Sequence, residues 1–189
     1  MKNIIISIFL FFVFISNAQK VIYIQPLGEV DSEYIKTVKS SLESFFGATC
    51  ILKTKVPLTN DLLSPSKTRY EGGKILNKFN SKDNVIVLTE KDITTQKGNN
   101  PEWGILGLGY RPGTVCVVST FRMKRTSDKE LIHQRLRKIS IHEVGHNLGL
   151  DHCTNDITCL MNDARGTISQ VDREKIQFCG KCKKQIGMY

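Results

Sequence analysis

Up to residue 150 the chain alternates short β-branched runs with stretches of helical period. VIYIQPL (21–27) is rich in β-branched residues and predicts a strand. Asp31 then stands where a helix cap is expected. Val30, Tyr34, Val38, Leu42 and Phe45/Phe46 recur at helical spacing to about Phe46, and Gly47 supplies a stop. CILKTKV (50–56) alternates apolar and polar residues, as a half-buried strand does. Residues 57–67, with Pro57, Asn60, Pro65 and several serines, predict a loop, and Arg69 to Phe79 a second helix carrying Gly72 and Gly73. VIVLTE (85–90) is an apolar run suited to a central strand. A polar loop is expected over 91–103. GILGLGY (104–110) and TVCVVST (114–120), joined by Arg111-Pro112-Gly113, then read as a hairpin.

The clearest helix follows. Ser127 with Glu130 forms a capping box. Leu131, Ile132, Leu136, Ile139, Val144 and Leu148 carry the apolar positions, and Gly149 sits where the helix should stop. Neither an internal repeat nor a low-complexity segment follows residue 20.

The N-terminus breaks this pattern. MKNIIISIFLFFVFISNAQK opens with Lys2, runs apolar from Ile4 to Ile15 with only Ser7 intervening, and closes on Ser16-Asn17-Ala18. This is the layout of a signal peptide (residues 1–18) cleaved after Ala18. The apolar run is too short for a membrane span, which takes about 20 residues. No cysteine follows the cleavage point to carry a lipid. The expectation is an exported, periplasmic or secreted protein, without a stable membrane anchor after cleavage.

Length and charge bound the remainder. The 189 residues carry a net charge of +9, which becomes +8 once Lys2 is removed. Residues 19–189 suffice for one domain with its own core, and a monomer is expected. Lysines and arginines are spread along the chain, which predicts a solvated basic face. The absence of a basic run interleaved with aromatics argues against nucleic acid.

Three of the four histidines fall within HEVGHNLGLDH (142–152). His142 and His146 are four apart on a helix and so share one face. Imidazoles placed in this way can hold one zinc ion. Glu143 stands beside the first. Gly149 permits a left-handed turn that doubles the chain back, so that His152 can supply a third ligand. Three protein ligands leave a fourth position open, the mark of a catalytic rather than a structural zinc. His133 matches no ligand spacing and is expected on the helix surface.

Four of the six cysteines lie beyond His152: Cys153, Cys159, Cys179 and Cys182, in the order C-x5-C-x19-C-x2-C. Four thiolates can hold a tetrahedral zinc. Two disulfides are the rival, because export makes oxidation available. Cys50 and Cys116 lie in predicted strands and are simplest as buried apolar residues.

HEVGHNLGLDHC, with the later CLM and FCGKC, resembles the archaemetzincins, a branch of the metzincin zinc metallopeptidases. The motifs span residues 142–182. Five residues separate the first two cysteines here, where the family pattern has four. The resemblance implies a metzincin-like α+β fold: a twisted mixed sheet with helices, an active-site helix, and a small cysteine-rich C-terminal part. The division would be an upper part, 19–149, and a lower part, 150–189. It makes His142, His146 and His152 the ligands of a catalytic zinc and Glu143 the general base and acid. Met161 becomes the Met-turn methionine beneath the metal. Cys153, Cys159, Cys179 and Cys182 become ligands of a second, structural zinc, for two zinc ions in all. The implied activity is hydrolysis of a peptide or protein substrate, with GILGLGY as the edge strand along which the substrate lies. The alternative is a zinc-stabilised binding module that performs no catalysis. Glu143 speaks against it, since a scaffold needs no base.

Overall fold

The structure, a computed structural model, describes residues 20–188; the predicted signal peptide lies outside them. A five-stranded mixed sheet organises the upper half. Its strands are β1 (Val21–Pro26), β2 (Thr49–Leu52), β4 (Asn84–Thr89), β7 (Gly107–Gly109) and β8 (Val115–Ser119), in the order β2-β1-β4-β8-β7. All neighbours are parallel except β7, which runs antiparallel to β8 at the edge. A smaller sheet joins β3 (Tyr70–Glu71) to the hairpin of β5 (Ile93–Lys97) and β6 (Asn100–Ile105).

The pleat sends alternate residues of the central strands into two cores. Ile86, Leu88, Cys116 and Val118 face α1 (Ser32–Phe46) and α3 (Lys129–Asn147), whereas Val85, Val87, Val115 and Val117 face α2 (Gly72–Phe79). A strand apolar on both faces must be covered on both, which accounts for the unbroken apolar run at 85–88. Beyond α3 there are no further strands among the described residues. Two short helices, α4 (Ile168–Arg173) and α5 (Gly180–Gln185), and their loops complete the chain. The first core continues into this part through Leu160, Met161, Phe178 and the four C-terminal cysteines.

Several expected boundaries move. The polar stretch 91–103 is not a loop but the β5–β6 hairpin. Most of its positions are exposed or half-exposed, so polar residues occupy both of its faces and no alternation betrays it. The second helix starts at Gly72 because Tyr70 and Glu71 pair with β5. The strand expected over 50–56 stops at Leu52; it is an edge strand, and Ile51 and Leu52 are exposed. Asp128, not Ser127, caps α3, its carboxylate accepting from the Leu131 N–H at 3.1 Å. Ser127 is one residue too early to reach the first turn. His133 is half-buried rather than on the surface: its Nδ1 lies 2.7 Å from the Thr37 hydroxyl and its ring leans on Tyr34 of α1.

The charge pattern also misleads within α3. Twelve of its nineteen residues are buried, among them Arg135 and Lys138. Arg135 forks onto the Asp172 carboxylate at 2.8 and 2.7 Å and donates to the Met123 carbonyl at 3.0 Å. Lys138 Nζ donates to the carbonyls of Val171 and Asp172, at 2.7 and 3.1 Å. These two cations tie α4 to α3 instead of facing solvent. Cys50 and Cys116 are buried in β2 and β8, with two strands between them, and both are free thiols.

Candidate active site

The second half of α3 carries His142, Glu143 and His146, all buried. The helix ends at Asn147. Gly149 adopts φ +94°, and its N–H donates to the His146 carbonyl at 2.8 Å. Leu150 N–H returns to the Gly145 carbonyl at 3.0 Å, so the chain folds back over the last turn. This reversal brings the exposed His152 to the buried pair. Ring centroids are 4.7 Å apart for His142–His146, 5.4 Å for His142–His152 and 4.8 Å for His146–His152. One nitrogen from each ring lies within 4.8 Å of the other two.

The chemistry of these rings suits a cation. Nδ1 of His142 lies 2.7 Å from the Leu160 carbonyl, and Nδ1 of His146 lies 2.7 Å from that of Leu150. A carbonyl only accepts, so each Nδ1 carries the proton and each Nε2 is left with a free lone pair. Such outer hydrogen bonds fix the tautomer and raise the basicity of a metal ligand. Burial, helped by His146, drops the His142 pKa to about 3. Burial also lowers those of His146 and His152. Three neutral imidazoles converging in this way can hold a single zinc ion.

Glu143 is buried beside them, with its pKa pushed up to about 8 by desolvation. Its place depends on β7. A Cβ on Gly107 would stand 2.5 Å from Glu143 Oε1 and 2.6 Å from its Cγ. A Cβ on Gly109 would meet the Glu143 carbonyl at 3.0 Å and Asn147 Oδ1 at 3.2 Å. Gly107 and Gly109 therefore let the edge strand lie directly on α3; the glycines of GILGLGY predict that another backbone can come close, but not that it is this helix. Below the helix, a Cβ on Gly145 would be 2.6 Å from Met161 Sδ, so the fully buried Met161 packs under the turn that joins the two histidines.

A cavity of about 460 Å³ opens over this group. The histidines, Glu143 and β7 form one wall, Trp103 and Ile105 of β6 another, and the 163–166 loop a third. Trp103 reaches across it: a Cβ on Gly166 would sit 3.1 Å from its indole Nε1. Sequence reasoning missed this wall, because its strands lay in the supposed loop.

The C-terminal cysteines gather on the other side of His152. Their four Sγ atoms lie within 4.8 Å of one another, with Cys153–Cys179 at 3.7 Å and Cys159–Cys182 at 3.9 Å. All are free thiols. A tetrahedral ion with zinc–sulfur bonds near 2.3 Å sets its sulfurs about 3.8 Å apart, so the cage has the right size. The extra residue between Cys153 and Cys159 is absorbed in a turn, and Cys153 N–H still donates to the Met161 carbonyl at 2.7 Å.

The family described as Peptidase family M54 matches residues 73–188. The archaemetzincin of Archaeoglobus fulgidus is 34% identical over 165 residues, covering 87% of this chain and 98% of that one. That of Halobacterium salinarum is 29% identical over 174 residues, covering 86% and 97%. The crystal structure of the A. fulgidus archaemetzincin in complex with malonate superimposes with a TM-score of 0.78 at 32% identity, over 88% of this chain and 99% of that one. The fold and the histidine site are those of a zinc-dependent metallopeptidase. The chain belongs to peptidase family M54, the archaemetzincins.

Proposed function

We propose that His142, His146 and His152 hold the catalytic zinc and that Glu143 is the proton-transferring group in peptide-bond hydrolysis. The observation that carries this is the convergence of three neutral imidazoles on one point beside a buried carboxyl group, in a cavity large enough for a peptide segment. Zinc bound there lowers the pKa of water toward neutrality and polarises the scissile carbonyl. The protein supplies the other elements. Glu143 takes the proton of the attacking water and delivers it to the departing amine. Desolvation by β7 and α3 raises the proton affinity of its carboxylate, which suits a group that must accept a proton and then release it. The free edge of β7 offers backbone groups along which an extended substrate can be aligned.

We further assign the four thiolates Cys153, Cys159, Cys179 and Cys182 to a second, structural zinc; the sulfur separations support this over disulfides. Met161 supports the histidine helix from below. Residues 19–189 act as one peptidase unit, monomeric and exported after loss of residues 1–18. No described helix is long and apolar enough to cross a membrane.

Elemental analysis of protein purified without reductant, paired with turnover of a peptide library, tests the reading. Two zinc ions per chain and cleavage abolished by Glu143→Ala are expected. One zinc would overturn the cysteine assignment, and two zincs without cleavage of any peptide would favour a binding module. N-terminal sequencing of exported protein should begin at Gln19.

A further inference from the structure

Glu174 is a buried acid for which the hydrolytic machinery has no use. It follows the last turn of α4, is only 4% exposed, and lines the same cavity as Ile139, His142 and Glu143. Its carboxylate has one weak partner, Gln170 Nε2 at 3.4 Å. No cation among the described residues pairs with it within 4.0 Å. Lys138, the cation whose charge reaches it, lies beyond ion-pair distance and gives two of its three ammonium protons to the carbonyls of Val171 and Asp172. Nor is it a structural ion pair like that of Arg135 with Asp172, in which both carboxylate oxygens are taken.

A buried carboxylate with one long hydrogen bond is costly to keep ionised. An arriving ammonium or guanidinium would supply the missing donors. Ile139, one turn before His142 on α3, gives the same part of the cavity an apolar side against which an aliphatic stem can lie. We propose that Glu174 makes this end of the cleft a subsite for a lysine or arginine side chain of the substrate.

The inference rests on the peptidase reading, and its test separates the two. Matched peptides carrying lysine, norleucine or glutamate at each position around the cleavage site are offered to the wild-type enzyme and to Glu174→Gln. The same peptides are titrated calorimetrically against Glu143→Ala and against Glu143→Ala with Glu174→Gln, which report binding without turnover. Wild type should favour lysine over norleucine at one position by about 10- to 100-fold in kcat/KM, the range of a hydrogen bond to a charged group. Glutamate should be rejected, and Glu174→Gln should bring the lysine-to-norleucine ratio close to one. A wild-type ratio near one at every position overturns the proposal, as does a preference that survives Glu174→Gln. Absence of turnover, with tighter lysine binding that depends on Glu174, would defeat the peptidase reading and leave the subsite standing. Equal binding of all three peptides would defeat the subsite.

Discussion

At the scale of single residues, the carboxyl group proposed to move the proton is held by what its neighbour lacks. Gly107 has no side chain, and Glu143 fills that space. Adding one methyl group, Gly107→Ala, should push the carboxyl group out of position. Displacements of about 1 Å at a reacting centre cost on the order of 100-fold, so kcat/KM should fall by about that factor while zinc content stays unchanged. Full activity in this variant would show that the contact does not position Glu143. Removing the carboxylate itself, Glu143→Gln, should lower kcat by about 10²- to 10⁴-fold, the usual worth of a general base. It should leave the metal bound, which elemental analysis checks. The convergence of the three histidines was legible because their spacing is set by one helix and one glycine. HEVGHNLGLDH states its geometry locally: four residues per shared face, then a turn that only a left-handed residue makes easily. Gly107 and Glu174 were not legible. Gly107 matters through Glu143, 36 positions away, and Glu174 through a cavity it shares with Ile139 and His142; nothing in the local sequence marks such a meeting.

At the scale of elements, legibility followed burial. β4 and β8, covered on both faces, announced themselves as apolar runs, and α1 by its stripe. The β5–β6 hairpin stayed hidden because a largely solvated hairpin has no core-facing pattern to display. Arg135 and Lys138 were misplaced because a helix buried almost all round can carry cations wherever another element returns acceptors to them. The cap of α3 is a sharper case: the capping box points to Ser127, and the helix uses its neighbour Asp128. Asp128→Ala should destabilise the protein by about 1 kcal/mol, the typical worth of an N-cap. Ser127→Ala should change stability much less, and denaturant melts of the pair distinguish them. Equal losses would mean that the hydroxyl shares the cap.

For the whole molecule, burial pushes the Glu174 carboxyl group up to about 7 from the ordinary 4.5. Between those values the folded chain retains a proton that the unfolded chain has released. Stability from this group is therefore present at low pH and is lost as pH rises through that window. Glu174→Gln removes the liability. Its melting temperature relative to wild type should be nearly level at pH 4 and should climb between pH 5 and 8; a flat difference would contradict the burial account. An acid that weakens the fold near neutrality is what a recognition group looks like before its ligand arrives.

His152 and Cys153 are neighbours in the chain, yet they face different donor sets. A peptide bond thus joins the two proposed coordination spheres, and loss of either ion should slacken a ligand of the other. Thermodynamic linkage makes that influence mutual. Chelation should then strip both ions over a single steep range of chelator concentration, not in two independent steps, and zinc starvation would yield fully loaded and empty molecules with few half-filled ones.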